Sequence, residues 1–238
     1  MANPHFQNQI LWAGNTVASK VKKDTPMFVP AASDQTFYVY SNDFFTYNSG
    51  DWTITTTEAG TGSATEAITS GAGGQLLITN AAGDDDLDFL QLKGESFLID
   101  GNKRAMFEAR FKCNDVDQSD FVMGLGITDT SPLDTTDGIF FISADGDAGL
   151  DFLVEKDNSA TTTEDVATME DDTFITVAWY VDPNASLVYY SINHAEPVGV
   201  ANTNVPDDEE LTVSFGIQNG EAAAQTLTID YITAMVER

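Results

Sequence analysis

The sequence of 238 residues predicts an all-β protein in which two antiparallel sheets pack face to face as a sandwich. About a dozen short segments alternate apolar and polar residues, the pattern of strands with one buried and one wet face. Turn-forming residues separate these segments at short intervals, and no segment keeps the 3.6-residue period of a helix. No repeat at a fixed spacing indicates a propeller or a solenoid, so one large sandwich is expected.

The clearest element is a β-hairpin over residues 173–200. Its two strands place seven large residues on one side: Ile175, Val177, Trp179, Val181, Val188, Tyr190 and Ile192. Asp182, Pro183 and Asn184 supply the turn, because proline fixes φ and asparagine tolerates a positive φ. A lone hairpin is marginally stable in water, so the remaining strands must cover its tryptophan face.

The sandwich is expected to begin within residues 41–57, where residues 48–51 form a turn and Trp52 and Ile54 share a face. Residues 58–74 and 157–172 are rich in small or polar residues and are predicted to be loops. The alternation predicts further strands at residues 75–79, 88–92, 97–99, 106–113, 121–128, 139–143, 150–155, 211–218 and 227–236.

Three local features refine these strands. Gly124 and Gly126 lie on the face opposite Phe121, which indicates a bend or a close approach by a neighbouring chain segment. The turn between residues 143 and 150 centres on Asp145 and Gly146. The expected core contains Phe107, Phe111, Phe121, Leu125, Trp179, Tyr190, Phe215 and Ile229.

Residues 1–40 are predicted to be an extended N-terminal arm, and residues 41–238 to be the sandwich domain. Prolines at 4, 26 and 30 interrupt any periodicity in the arm, yet it holds too much apolar surface for a disordered tail. The sequence leaves two interpretations open: the arm packs along its own domain, or it reaches a neighbouring subunit or partner. The candidate partner-binding residues are Phe6, Ile10, Leu11, Trp12, Lys20, Lys22 and Lys23.

A net charge of −28 is the most unusual bulk property of the chain. Only ten lysines and arginines are present, which argues against nucleic-acid binding because phosphate contacts depend on them. No apolar run is long enough to span a membrane, and the first residues lack the pattern of a signal peptide. Cys113, the only cysteine, shares a face with Phe111 and is expected to be a buried, inert thiol.

No set of residues predicts a catalytic centre. Asp151 and Glu155 share a strand face but should lie about 13 Å apart, too far for the carboxyl pair of a glycosidase. His5 and His194 have no serine or cysteine nucleophile placed beside them by a motif, and His194 is read as a turn residue. No glycine-rich loop has the phosphate-binding pattern, so no cofactor site is predicted.

The acidic loops leave a calcium site open, although the sequence favours no bound cofactor. Calcium prefers oxygen ligands, and carboxylates cluster at residues 84–86, at 115, 117 and 120, and at 207–210. Asp145 and Asp147 are the best candidates because one turn could aim both carboxylates at a single point. A solvated turn explains that pair equally well, and no metal ligand is assigned.

The order of several strand motifs resembles the concanavalin A-like (laminin G-like) jelly roll. These motifs are FEARFK at 107–112, GIFF at 138–141, residues 173–180 and 187–193, and LTIDYI at 227–232. More narrowly, the stretch from DFFTY at 43–47 to Arg238 is similar to virion proteins of tailed phages, which decorate or cement the capsid. No calcium-dependent sugar site of lectin relatives can be matched residue by residue.

The resemblance implies a non-enzymatic capsid decoration protein that is made in the host cytoplasm and sits on the capsid exterior. Its implied partners are the major capsid protein and neighbouring copies, as a homo-oligomer. The alternative is a tail- or capsid-associated carbohydrate-binding module that contacts host-surface glycans. A third class, glycoside hydrolase, would require a carboxylate pair within a cleft.

Overall fold

The computed structural model describes residues 37–238, and they form the predicted sandwich of two antiparallel sheets. We name the sheets A and B. In the described part of the chain the only helical segments are two short 3-10 turns, Ser49–Asp51 and Pro132–Asp134. None of the helices described is long and apolar enough to cross a membrane.

Sheet A has eight strands, in the order β14, β13, β12, β7, β16, β4 and β3, with β1 beside the second half of β16. A register shift between Ile229 and Tyr231 leaves Asp230 as an extra residue in β16. The strands are β1 (Phe37–Asn42), β3 (Thr65–Thr69), β4 (Gln75–Thr79), β7 (Ala105–Cys113), β12 (Ile175–Asp182), β13 (Leu187–Ile192), β14 (Val198–Ala201) and β16 (Thr226–Glu237).

Sheet B also has eight strands, in the order β11, β10, β9, β8, β15, β5 and β2, with β6 beside β15. Most strands pair with a distant part of the sequence, as in a jelly roll. The strands are β2 (Trp52–Thr57), β5 (Leu87–Leu92), β6 (Phe97–Leu98), β8 (Ser119–Gly126), β9 (Gly138–Ser143), β10 (Gly149–Lys156), β11 (Ser159–Thr168) and β15 (Glu210–Asn219).

The inner faces of the two sheets enclose one large apolar core. All eight predicted core residues are buried, so that prediction is confirmed. Trp179 is fully buried and stacks on Phe107, with ring centroids 6.0 Å apart. Cys113 is buried as expected, and burial raises the pKa of its thiol, which keeps it protonated and unreactive.

Three local predictions are wrong. Residues 58–74 and 157–172 are not wholly loops, because they contain the edge strands β3 and β11. Both strands are polar and mostly exposed, so they lack the apolar alternation by which the other strands were found. In the turn after β12 the positive φ falls on Ser186 rather than Asn184, since the connection is one residue pair longer than a tight hairpin.

Candidate binding surface

The predicted arm contacts lie outside the described residues. They are Phe6, Ile10, Leu11, Trp12, Lys20, Lys22 and Lys23. The first described strand begins at Phe37, so the last four residues assigned to the arm belong to β1. Residues 37–40 therefore lie in sheet A, beside the last strand of the chain.

The two carboxylates considered for catalysis do not come together. Asp151 and Glu155 lie on β10, and the Oδ1 atom of Asp151 accepts a hydrogen bond from the backbone N–H of Asp165 at 2.8 Å. Burial, followed by the charges of Asp134 and Asp137, raises the pKa of Glu155. His194 lies in a turn with a φ of 59°, in agreement with its predicted role.

Three other carboxylates do converge, at the end of the sandwich where β7 ends and β12 begins. Oxygen atoms of Asp115, Asp117 and Asp171 lie within 4.8 Å of one another, close enough to share a cation. Burial and the neighbouring Asp117 raise the pKa of Asp115 to about 6. The sequence groups Asp115 with Asp117 but not with Asp171, because the fold alone brings the two loops together. Asp120 points elsewhere and accepts a hydrogen bond from the backbone of Asp145.

Two carboxyl groups from different sheets lie near each other at one edge of the sandwich. Asp88 of β5 is buried and Glu66 of β3 is half-buried, and Thr56 donates a 3.0 Å hydrogen bond to Asp88. Tyr47 donates a hydrogen bond to Glu66 at 3.2 Å. Burial, and then the contact with Glu66, raise the pKa of Asp88 to about 8. The raised pKa favours the protonated form of Asp88 at neutral pH.

The outer face of sheet A carries a continuous row of large side chains, which we call the methionine–tyrosine row. The row has one residue from each of five neighbouring strands, β1, β16, β7, β12 and β13. In that order they are Val39, Met235, Met106, Tyr180 and Tyr189, and Tyr189 is paired with Gly199 of β14. These residues lie opposite the core because side chains alternate along a strand, and they form an apolar cluster separate from it. Met106 and Met235 are buried, whereas the two tyrosines are half-buried.

Beside that row, at a distance of two residues on each strand, the side chains are small or polar. This second row, which we call the trough, consists of Ser41, Thr233, Glu108, Ala178 and Ser191. Glu108 is only 4% exposed. One of its carboxylate oxygens accepts a 2.8 Å hydrogen bond from the Tyr231 hydroxyl, and the other has no partner. An unpaired buried carboxylate oxygen is costly in free energy. Among the described residues, none donates a hydrogen bond to this oxygen of Glu108.

Cations are concentrated around this face. Residues 37–238 contain seven lysines and arginines against 36 acidic residues, and Arg104, Arg110 and Lys112 all border sheet A's outer face. Arg104 forms a bidentate ion pair with Glu237, at 2.7 and 2.9 Å. Arg110 pairs with Asp230 and lies over the Phe174 ring. Each of these cations is paired with an acidic residue, so the outer face of sheet A is close to neutral on a strongly acidic body.

The outer face of sheet B is closed by its own residues. Phe140 lies over Gly124, Gly126 and Gly138, where an added Cβ would collide with its ring. Phe89 covers Gly216 in the same way. Phe89, Val122 and Phe140 form a buried apolar cluster of their own. The predicted close approach is confirmed: the backbone oxygen of Ile139 comes nearest at Gly124, and the Phe140 ring comes nearest at Gly126.

A polar pocket opens at the edge of the sandwich between β1 and β2. Its volume is about 510 Å³, and three aromatic residues line it together with amide, carboxylate and amine groups: Tyr40, Tyr47, Trp52, Asn42, Asn48, Asp51 and Lys93. Tyr40 and Trp52 meet edge to face at 6.4 Å, and Asn42 donates to the Tyr40 hydroxyl at 3.1 Å. Such a mixture of ring faces and hydrogen-bonding groups suits a neutral polar ligand.

Neither outer-face row could be assembled from the sequence alone. Residues of each row come from five strands, and their alignment depends on register, which no single segment reveals. One signal was present: Met106, Glu108, Arg110 and Lys112 alternate with the core residues of β7, so an outward face with a mixed character was visible.

The fold defines the protein as a concanavalin A-like jelly roll. No family model matches the chain, and no curated protein matches it in sequence. Solved structures do match: a Shewanella oneidensis MR-1 protein of unknown function is 14% identical, with a TM-score of 0.59, covering 84% of this chain and 87% of that one.

Two further solved structures have a described activity in their names. Peanut lectin is 10% identical, with a TM-score of 0.56, covering 84% of this chain and 97% of that one. An endo-1,3-beta-glucanase from Streptomyces sioyaensis is 12% identical, with a TM-score of 0.58, covering 87% of this chain and 98% of that one. At these identities the likeness establishes the fold, which is shared by sugar-binding proteins and by enzymes.

Proposed function

We propose that the protein is a structural protein of a tailed-phage particle, a decoration or cement protein that coats the capsid exterior. The observation that carries this proposal is the outer face of sheet A, which combines an apolar row with an unsatisfied trough. Contiguous apolar surface on the outside of a sheet is typical of protein–protein contacts, and Val39, Tyr180 and Tyr189 of the row are partly exposed. The partners would be the major capsid protein and neighbouring copies of the chain, arranged as a homo-oligomer.

The charge of the body favours such a surface. Residues 37–238 carry a net charge of −29, which keeps copies soluble and opposes non-specific contact. The one nearly neutral face is then the place where a specific contact costs least. The resemblance of residues 43–238 to virion proteins supports the same assignment.

The proposal includes the absence of hydrolase activity. Asp151 and Glu155 stand four residues apart on one strand, about 13 Å at the usual rise, and their environments differ. Turnover of a polysaccharide that disappears on Asp151→Asn or Glu155→Gln would overturn this part of the proposal.

Copy number tests the main proposal. Quantitative mass spectrometry of purified virions should find the protein in a fixed ratio to the major capsid protein, at a copy number comparable with that of the capsid subunits. A handful of copies per particle, or none, would contradict a capsid coat.

A second candidate function is glycan binding, and the pocket between β1 and β2 is the observation that favours it. Aromatic ring faces can stack on the apolar side of a sugar while Asn48, Asp51 and Lys93 bond its hydroxyls. The solved structures of similar fold include a lectin, which suits this candidate without identifying a sugar.

Isothermal titration with neutral oligosaccharides distinguishes the two candidates. If an oligosaccharide binds in the pocket, the affinity of the protein for it should fall roughly tenfold or more when Tyr47 is replaced by alanine. The matched control, Tyr189→Ala on the outer face of sheet A, should leave that affinity unchanged. Equal losses in both variants, or no binding by the wild type, would remove this candidate.

A further inference from the structure

We propose that the trough on the outer face of sheet A receives residues 1–36 of a neighbouring copy, with a lysine of that segment against Glu108. This inference rests on the proposed function, because a coat places many copies side by side. It names the ligand of the contact face and predicts that the coat is held together by exchanged N-terminal segments.

The length of the trough suits a single chain segment. It crosses five strands, and four spacings of about 4.8 Å make it about 19 Å long. An extended chain rises about 3.3 Å per residue, so about six residues fill it. The buried methionines of the adjoining row adapt their shape and form favourable contacts with aromatic rings, which Phe6, Trp12 and Phe28 can provide.

The charge of the trough selects a basic segment. Glu108 has one carboxylate oxygen without a partner, and a cation is the group that best satisfies a buried carboxylate. Arg104, Arg110 and Lys112 border the face, and each is already paired with an acidic residue. The remaining lysines near one another in the sequence are Lys20, Lys22 and Lys23, in the segment that precedes β1.

The direction of β1 favours a neighbouring copy over the same chain. Phe37 begins β1 beyond the methionine–tyrosine row, and the trough lies at Ser41, further into the strand. The N-terminal end of β1 therefore lies on the side away from the trough, and a preceding segment of the same chain would have to reverse direction to reach the trough. Acidic bodies also repel each other, so contact between copies should come through the segment that is not acidic.

A mixed-label NMR experiment on the full chain tests the inference. The sample mixes two kinds of chain. Lys22→Cys chains carry a nitroxide and no isotope, and wild-type chains carry ¹⁵N. The native Cys113 is buried and should not react with the nitroxide reagent. We expect loss of amide signals from Glu108, Ala178 and Ser191 in the labelled copy, and none from Val122 and Phe140 on sheet B.

Two variants of the ¹⁵N-labelled copy, each of which removes one carboxylate, identify the residue that anchors the segment. Glu108→Gln should weaken the association by roughly tenfold, since it removes the charge that the lysine meets. Glu155→Gln, the matched change on sheet B, should leave the association unchanged.

Three results would overturn the inference: signal loss on sheet B, equal effects of the two variants, or signal loss that appears only in a further sample whose chains carry both ¹⁵N and the nitroxide. The last would mean that the segment binds its own sandwich. Each of these results leaves the copy number in virions untouched, so failure of the inference and failure of the proposed function are told apart.

Discussion

The two outer faces of the sandwich solve the same problem in different ways. Both sheets carry large apolar side chains on the side away from the core. On sheet B, Phe140 and Phe89 pack against glycines, so the face covers itself. On sheet A, methionines and tyrosines stand in a row beside a trough in which Glu108 keeps an unpaired oxygen.

This difference shows how a jelly roll can keep one face closed and leave the other ready for a partner. A face whose apolar groups are covered by its own strands gains nothing from a further contact. A face with an unsatisfied buried group gains both apolar burial and a charged hydrogen bond when a suitable segment binds. The comparison is the physical reason for proposing sheet A, and not sheet B, as the binding face.

The largest expected effect concerns the core that both faces share. Trp179→Ala should lower the free energy of unfolding by about 3–5 kcal/mol, because it opens a cavity beneath Phe107. Denaturant unfolding measures the change. A loss under about 1 kcal/mol would mean that the core does not support the two faces as described.

The next effect probes the self-covered face. In Gly124→Ala the new Cβ would collide with the backbone oxygen of Ile139 and with the Phe140 ring, so a loss of about 1–3 kcal/mol is expected. Gly60→Ala is the control, because nothing lies within 4 Å of its added Cβ. Equal stabilities of the two variants would show that the rings on sheet B are not packed on the glycines.

A smaller effect should arise at the Asp88 and Glu66 pair, which belongs to neither outer face. The unfolded chain releases the Asp88 proton near pH 4, whereas the folded chain keeps it until about pH 8. Between these values the folded state binds more protons, so stability should fall as the pH rises.

Asp88→Asn should abolish most of that decline and stabilise the protein at pH 8 by on the order of 1 kcal/mol. Unfolding measured at pH 5 and pH 8 provides the test. Parallel pH profiles of the two proteins would show that Asp88 is ionised in the folded state.

Much of the fold could be predicted because apolar alternation is local. The core residues of β7, β8 and β12 follow from the apolar alternation along each strand, which includes Phe107, Phe121 and Trp179. The edge strands β3 and β11 could not be found this way, since polar, exposed strands carry no such alternation. Their place is set by pairing with β4 and β10.

The candidate surface could be predicted far less well. Glu108 was visible as an outward residue of β7, but its burial depends on Tyr231 and Ala178, which reach it from two other strands. Asp171 joins Asp115 only through the meeting of two loops. Sites assembled from distant segments depend on register and topology, and neither is encoded in one stretch of sequence.

The central claim is that sheet A, and not sheet B, contacts the partner. The most direct measurement is the binding of purified protein to virions stripped of it, with one half-buried residue of each outer face changed to glutamate: Tyr189→Glu on sheet A and Leu153→Glu on sheet B. Thermal unfolding confirms beforehand that both variants are folded. The account predicts that Tyr189→Glu fails to bind particles while Leu153→Glu binds as the wild type does. The reverse pattern, or equal binding by both variants, would contradict it.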